Sequence, residues 1–561
     1  MYILGLSLNG HDTAACLIKD GQIIALCEEE RLARVKRITA YPFRAIDYCL
    51  KEAGIGIKDI DYTACSWDSR IEFNKFLLGH SLKFFPKSLL HFREGLRGWR
   101  ARKSRAGYLQ RKFGIKSYAV NHHLAHGSSS FFVSPFNEAA ILTLDGAGEF
   151  DTVTLGIGQD KKIRTLESIV YPHSLGLLYD AVSIYLGFTE LEGAGKVMGL
   201  ASYGKPLYLK EFKRIVKFKP EGKFELDLSY FQYHLARRAQ NEWVTAKFLK
   251  AFGLAREIDG PLDQRHMDIA ASLQQIVEEA IFHLAERLFE LTGQKNLCIS
   301  GGVALNSVAN AKLLANSRFK KFYIQPLAND AGGALGAAYY LYHQIFGQPR
   351  SAVMAHAYLG PSFTDEEIET SLNSFSGLKV KKLTNIEKET AKLLSEGKII
   401  GWLQGRMEGG PRALGNRSII VDPRNPQMMD ILNKRVKFRE AFRPFAPSIL
   451  EEYNFEYFKT DYPSPFMLMV YEAREDKRRL IPAVVHVDGT GRVQTVNRND
   501  NPRYRRLIEE FHKITGVPVL LNTSFNIRGE PIVCTPEDAI VCFLGTDMDY
   551  LVLGDFLVNK E

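Results

Sequence analysis

Apolar positions along the chain follow two rhythms, and each predicts its own elements. Tyr2–Leu8 is a short apolar run that predicts a buried strand. The polar turn Asn9-Gly10-His11-Asp12 follows, then a second run at Ala14–Ile18, the pair Asp20-Gly21, and a third run at Gln22–Cys27. Asp-Gly between apolar runs predicts a hairpin, because both residues tolerate the positive φ of a tight turn. The same order returns in part at Ala139–Gly156: an apolar strand, Asp145-Gly146-Ala147-Gly148, then Thr152–Gly156. This predicts an internal duplication, two halves each turning a hairpin toward a shared cleft. The helical rhythm is clearest over Met267–Leu291, where Ile269, Leu273, Ile276, Ala280, Leu284, Leu288 and Leu291 form one stripe. Short strands followed by small-residue turns come next, at Leu297–Ile299 and Phe322–Pro326. Beyond a connector at Phe346–Leu359, Thr364–Glu396 predicts helix, strand and helix, and Ile399–Leu403 another strand. The class predicted is α/β, in two domains, 1–356 and 357–561.

Composition narrows this picture. At 561 residues the chain exceeds one ordinary core. With 45% hydrophobic and 24% charged residues it is globular, and no apolar run approaches the roughly 18 residues of a membrane helix. The start, MYILGLSLNGHDTAAC, has no basic stretch and reads directly as a strand, so no signal peptide is expected. Seven scattered cysteines, odd in number and without C-x-x-C, predict reduced thiols and a cytoplasmic protein. Net charge is +9, from 73 basic and 64 acidic residues, and much of it sits in Leu82–Lys116, where Glu94 is the one acid. Phe84, Phe85, Leu89, Leu90, Phe92 and Trp99 make that stretch amphipathic. Two readings stand: a solvated helical insertion, or an acceptor-binding or surface-binding element for an anionic group, RNA or membrane.

Three groups of residues carry candidate chemistry. His122 and His126 are four apart, so a helix stacks them on one face, as a metal site needs. Asp145 ends an apolar strand at a Gly-rich turn, and Asp330 stands between a strand and a small-residue helix, where it would close a metal shell or act as an N-cap. Ser300-Gly301-Gly302, between a strand and a helix, suits a nucleotide at the helix N-terminus, with Asn306 and Asn310 one turn apart; Lys36 offers a point charge for a phosphate. Arg412 lies in a Gly/Pro-rich loop after the strand Ile399–Leu403, with Lys437, Arg439, Arg443, Arg492 and Asn522 downstream. Guanidiniums flanked by Gly, Pro and Phe predict a pocket for a small oxyanion.

Taken in order, the motifs HDTAA at His11, EEER at Glu28 with Lys36, HHxxH at His122, LDG at Leu144, SLG at Ser174, KVMGL at Lys196, GGVALN at Gly301, GPRALG at Gly410, RPFAP at Arg443, RVQ at Arg492 and LNTSF at Leu521 span nearly the whole chain. They resemble the O-carbamoyltransferases of the NodU/CmcH type, which modify natural products and nodulation factors. The resemblance implies an N-terminal actin-like (ASKHA) duplicated domain, similar to tRNA threonylcarbamoyl-transferring enzymes, and a C-terminal α+β YrdC-like domain. It implies that carbamoyl phosphate and ATP give a carbamoyl adenylate, and that the carbamoyl group then moves to the hydroxyl of a small-molecule acceptor. His122, His126, Asp145 and Asp330 are then expected to hold a divalent metal, iron(II) by resemblance. Lys36, Gly146, Gly302, Asn306 and Asn310 are expected to bind ATP, supplied with Mg. Arg412, Lys437, Arg443, Arg492 and Asn522 are expected to bind carbamoyl phosphate, with His11 the general base and Asp12 beside the acceptor. Two departures stand out: Arg37 follows Lys36 where the family pattern has His, and Glu192-Gly193-Ala194-Gly195-Lys196 replaces Gly-Glu-x-Lys. Competing readings are an ASKHA-type small-molecule kinase and a tRNA threonylcarbamoylation enzyme. No nucleic acid is expected as partner; the acceptor and the oligomeric state, a homodimer included, stay open.

Overall fold

Backbone pairing turns the first apolar runs into a sheet. The computed structural model describes residues 1–8, 11–189, 192–235 and 243–561; Asn9 and Gly10 of the first predicted turn lie outside them. The strands are β1 (Tyr2–Ser7), β2 (Ala14–Lys19), β3 (Gln22–Glu28), β4 (Tyr62–Cys65) and β5 (Lys116–Ala119), in the order β3-β2-β1-β4-β5. β1 runs antiparallel to β2 and parallel to β4, and β4 is parallel to β5. Asp20 and Gly21 take φ of 48° and 81° between β2 and β3, as the predicted turn requires.

A second sheet repeats this plan. β6 (Glu138–Leu144), β7 (Asp151–Gln159) and β8 (Lys162–Val170) form an antiparallel meander. After a small ribbon of β9 (Val216–Phe218) and β10 (Phe224–Leu226), β11 (Asn296–Ser300) and β12 (Lys321–Ile324) add in parallel on the other side of β6. The order β8-β7-β6-β11-β12 matches β3-β2-β1-β4-β5 strand for strand. Each last strand feeds a helix: β5 leads to His122–Phe131 and β12 to Gly332–Tyr339. These two helices pack on each other, and the second also packs on β1. Glycine permits that closeness: a Cβ at Gly336 would stand 1.8 Å from the Ala125 carbonyl oxygen, and one at Gly5 would stand 1.9 Å from that of Ala334. The long helix, Gln264–Thr292, buries Ile269, Leu273, Ile276, Ala280, Leu284 and Leu288 completely.

The chain divides into two compact units: Met1–Ala25 with Thr39–Val353, and Leu26–Ile38 with Met354–Glu561. Residues 26–38, which the sequence reading kept with the N-terminal part, group with the second unit. That unit holds a nine-stranded mixed sheet of β13 (Leu378–Lys382), β14 (Ile400–Leu403), β15 (Arg417–Val421), β16 (Ala446–Leu450), β17 (Met469–Glu472), β18 (Thr490–Val496), β19 (Val519–Ser524), β20 (Tyr550–Leu553) and β21 (Phe556–Lys560). Their order is β13-β21-β20-β14-β15-β19-β16-β18-β17. Helices Ile386–Ser395 and Pro502–Thr515 pack together, as do Asp365–Asn373 and Pro536–Leu544.

Candidate functional site

In the first unit the two equivalent helices bring four ligand atoms together. His122 and His126 lie on the first turns of His122–Phe131, whose N-cap Asn121 accepts from the Leu124 N–H. Both imidazoles are fully buried. Their Nε2 atoms are 3.1 Å apart. His122 Nε2 is 2.9 Å from Asp145 Oδ2 and 3.6 Å from Asp330 Oδ1, and His126 Nε2 is 3.9 Å and 3.8 Å from the same carboxylates. All four ligand atoms lie within 4.8 Å of one another. The far ring nitrogens have their own partners: His122 Nδ1 is 3.3 Å from the Ser66 carbonyl oxygen, and His126 Nδ1 is 3.3 Å from Ser300 Oγ. Such partners set the tautomer that turns the Nε2 lone pairs inward. Two lone pairs at this spacing repel unless a proton or a cation lies between them. Burial opposes the charge on His122, but Asp330 and Asp145 outweigh it and raise the imidazole to about 9. Two imidazoles and two carboxylates fit a divalent first-row ion. Asp330 is not a side-chain cap: the helix Gly332–Tyr339 has Ala331 at its N-cap and no capping hydrogen bond.

Sequence reasoning missed Glu149. Buried in the turn after β6, its carboxylate accepts from the N–H of Asp68 at 2.6 Å, the N–H of His122 at 3.0 Å and the amide of Asn121 at 2.9 Å. It therefore fixes the start of the histidine helix. An acid four residues after Asp145 was the only signal in the chain. Glu149→Ala would strand buried donors, which costs about 2–3 kcal/mol. Urea unfolding is expected to show that loss together with weaker metal binding; unchanged values for both would remove Glu149 from this role. His123, by contrast, has both ring nitrogens engaged, with Thr143 Oγ1 at 2.6 Å and the Asp151 carbonyl at 2.9 Å.

The other predicted residues of this unit divide. His11 Nδ1 is 3.3 Å from Asp12 Oδ2, and Asp12 accepts from Asn329, next to Asp330, at 3.1 Å. The first turn thus sits by the ligand set. Burial would lower the His11 imidazole, but Asp12, Asp330 and Asp145 raise it to about 9. The Gly302 N–H donates to Asp145 Oδ1 at 2.9 Å. Gly146 lies against the N-terminus of helix Leu175–Tyr185, where Ser174 Oγ donates to its carbonyl at 2.6 Å. Asn306 and Asn310 turn inward instead: Asn306 exchanges amide bonds with Gln274 and caps Ser307–Asn316, and Asn310 donates to the Ala304 carbonyl.

The second unit gathers the arginines. Burial pushes Arg412 down to about 10, helped by Arg443, and also lowers Arg439 and Arg492, with neighbouring guanidiniums adding to it and Glu440 opposing it at Arg439. Arg492 Nε is buried with no hydrogen-bond partner among the described residues, and so is Asn522 Oδ1. The period of two in β18 puts Arg492 and Gln494 on one face of the sheet; Gln494 pairs with Ser448 and reaches Asn522 at 3.0 Å. Glu408, fully buried, accepts from the N–H groups of Leu414, Asn416 and Arg417, so its charge shapes the Arg412 loop rather than neutralising the cluster. Glu28 and Arg31 fasten the same loop at Gly410.

Other cations of the motif are spent on the chain. Arg417 donates to the carbonyls of Gln404, Pro361 and Cys534. Lys437 donates to Ser524 and Asn526, at 2.7–2.8 Å to both backbone carbonyls. Lys36 lies in the 26–38 segment, and its charge acts on Lys437. Arg439 belongs with the cluster although the expected set of anion ligands omits it.

A family model described as carbamoyltransferase N-terminus matches residues 2–339, and one described as carbamoyltransferase C-terminus matches 391–560. The chain is 43% identical to the uncharacterized protein sll1178 of Synechocystis, over 100% of this chain and 97% of that protein. It is 39% identical to nodulation protein NolNO of Sinorhizobium fredii, over 98% of this chain and 79% of that one. Among solved structures, component A of the Acidaminococcus fermentans (R)-2-hydroxyglutaryl-CoA dehydratase aligns over 61% of this chain and 97% of its own, at 16% identity and a TM-score of 0.32. The protein belongs to the carbamoyltransferase family that includes NolNO, and is a group-transfer enzyme.

Proposed function

We propose that the protein is an ATP-dependent O-carbamoyltransferase working in two steps on two centres. Carbamoyl phosphate binds the arginine cluster of the second unit, within 357–561 and the 26–38 segment. Water cleaves its carbamoyl C–O bond, phosphate leaves into the field of the guanidiniums, and the carbamate oxygen attacks the α-phosphorus of ATP, displacing pyrophosphate. In the first unit, an ASKHA-type domain by this reading as the second is a YrdC-like one, the hydroxyl of a small acceptor attacks the carbamoyl carbon and AMP departs. The neutral form of His11, the minor one at pH 7 while Asp12, Asp330 and Asp145 raise it, takes the hydroxyl proton, and Asp12 orients the ring. A divalent ion held by His122, His126, Asp145 and Asp330, iron(II) by resemblance, supplies Lewis-acid polarisation there.

One observation carries the reading: Arg492 Nε, shielded from water and close enough to Arg412, Arg439 and Arg443 to feel their charge, has no hydrogen-bond partner among the described residues, and neither does Asn522 Oδ1, whose amide reaches Gln494 on the same face of β18. Carbamoyl phosphate matches both, with an anionic phosphate for the arginines and an amide N–H for the oxygen. In this scheme Lys36 serves the phosphate of that pocket, Lys437 orders the end of β19, and Asn306 and Asn310 support the nucleotide turn from behind. A small-molecule kinase would leave the cluster idle. The test is product analysis with ATP, carbamoyl phosphate and hydroxyl acceptors: AMP, pyrophosphate and a carbamoylated acceptor are expected. ADP and a phosphorylated acceptor would replace this reading with the kinase.

A further inference from the structure

Between β4 and β5 the chain makes an irregular helix, Glu72–His80, a short turn at Ser81–Lys83 and the helix Leu89–Ala106. One side of this excursion is tied down. Glu72, 1% exposed, accepts from Trp67 Nε1 at 2.8 Å and from the Arg102 guanidinium. Trp99 Nε1 donates to the Ser69 carbonyl at 2.7 Å, and the His80 and His91 rings pack against Tyr171. The other side points to solvent with the wrong polarity for water: Leu82 is 76% exposed, Phe85 70%, Leu89 62% and Leu90 53%. Single exposed apolar residues are ordinary, but four within Leu82–Leu90 make a patch.

Cations are interleaved with it. Lys83 and Lys87 alternate with the apolar residues, and Arg93 and Arg97 follow Leu89 at four-residue steps along the exposed face of the helix, with Arg100 beyond. From Leu82 to Lys116 the only acid is Glu94. Among the described residues no helix is long and apolar enough to cross a membrane.

We propose that this tip is a membrane-surface element: Leu82, Phe85, Leu89 and Leu90 enter the headgroup boundary of a bilayer while the lysines and arginines face anionic lipid. Apolar side chains with long cations on the flank are the composition of an interfacial anchor, and the cationic stems reach outward to the phosphates as the apolar groups sink. The patch matches RNA poorly. Phosphate binding gains nothing from three exposed leucines, and base stacking has only Phe85 to use.

The experiment is co-sedimentation of the full chain with phosphatidylcholine vesicles, with and without phosphatidylglycerol, at low and high salt. Binding to the anionic vesicles is expected, weakened by salt. L82D/F85D should bind them at least about tenfold more weakly, and Arg93→Ala with Arg97→Ala and Arg100→Ala should erase the preference for phosphatidylglycerol. Melting temperature and pyrophosphate exchange report that these variants are folded and active. A chain that stays in the supernatant with anionic vesicles overturns the proposal. So does L82D/F85D binding like the parent, or tight binding of a single-stranded RNA that the apolar substitutions leave intact while vesicles are ignored.

Discussion

Replacing Arg492 with Ala is expected to cut carbamoyl-phosphate-dependent exchange of labelled pyrophosphate into ATP by a factor of about 10²–10³, the usual scale for losing one preorganised donor to developing charge. Arg492 stands on β18, half-buried, with Nε shielded from water and lacking a partner among the described residues, and with Arg412, Arg439 and Arg443 near enough to depress it. Like charges in a partly desolvated site repel, and a bound anion relieves that repulsion. Two further results therefore belong to the same prediction. Carbamoyl phosphate or inorganic phosphate should raise the melting temperature of the parent protein, as a ligand selective for the folded state must, and that rise should vanish in Arg492→Ala. The ligand-free variant should melt no earlier than the parent, because relief of repulsion offsets the lost packing. Arg492→Lys should not restore exchange, since a point charge lacks the two-pronged donor geometry. Full exchange in Arg492→Ala would end the assignment of this pocket.

The second large effect is expected at the other centre, and with the opposite pattern. His122→Ala should abolish carbamoyl transfer to the acceptor and lower metal affinity by more than about 10²-fold, while pyrophosphate exchange continues. The pH dependence has a definite sign. In the ion-free site His122 is raised to about 9, so at neutral pH it holds a proton that an incoming ion must displace. Apparent metal affinity should then fall about tenfold for each pH unit below 9, and ion uptake should release a proton. Calorimetry in buffers of different ionisation enthalpy measures that release. Affinity independent of pH between 7 and 9, or loss of exchange along with transfer, would argue against two separable centres.

Much of this was legible beforehand because it is local. Hairpin turns announce themselves by residue type, and Asp20-Gly21 takes the positive φ values it advertised. The stripe from Ile269 to Leu288 is buried as its spacing predicted. An i, i+4 histidine pair must share a helix face, and His122 and His126 do. Arginines in Gly- and Pro-rich loops pointed to an anion pocket, although the pattern did not separate Arg412 and Arg492, in the cluster, from Arg417, spent on carbonyls. Nor did it separate Lys437, whose neighbours are chain acceptors, from a free phosphate ligand.

What the order of residues determines by itself is periodicity, turn chemistry and the kinds of donor available, since these depend on neighbours a few positions away. Tertiary structure alone decided which distant groups meet. Asp145 ends β6, Asp330 precedes the helix after β12, and the histidines begin the helix after β5. These three places converge because two sheets of one topology pack their equivalent helices together, at a contact that Gly336 keeps close. The same is true of Glu149 and Glu408: a lone acid in a chain carries no sign that it will end buried under several N–H groups. Burial turns an ordinary carboxylate into a positioning device, and burial is a property of the fold.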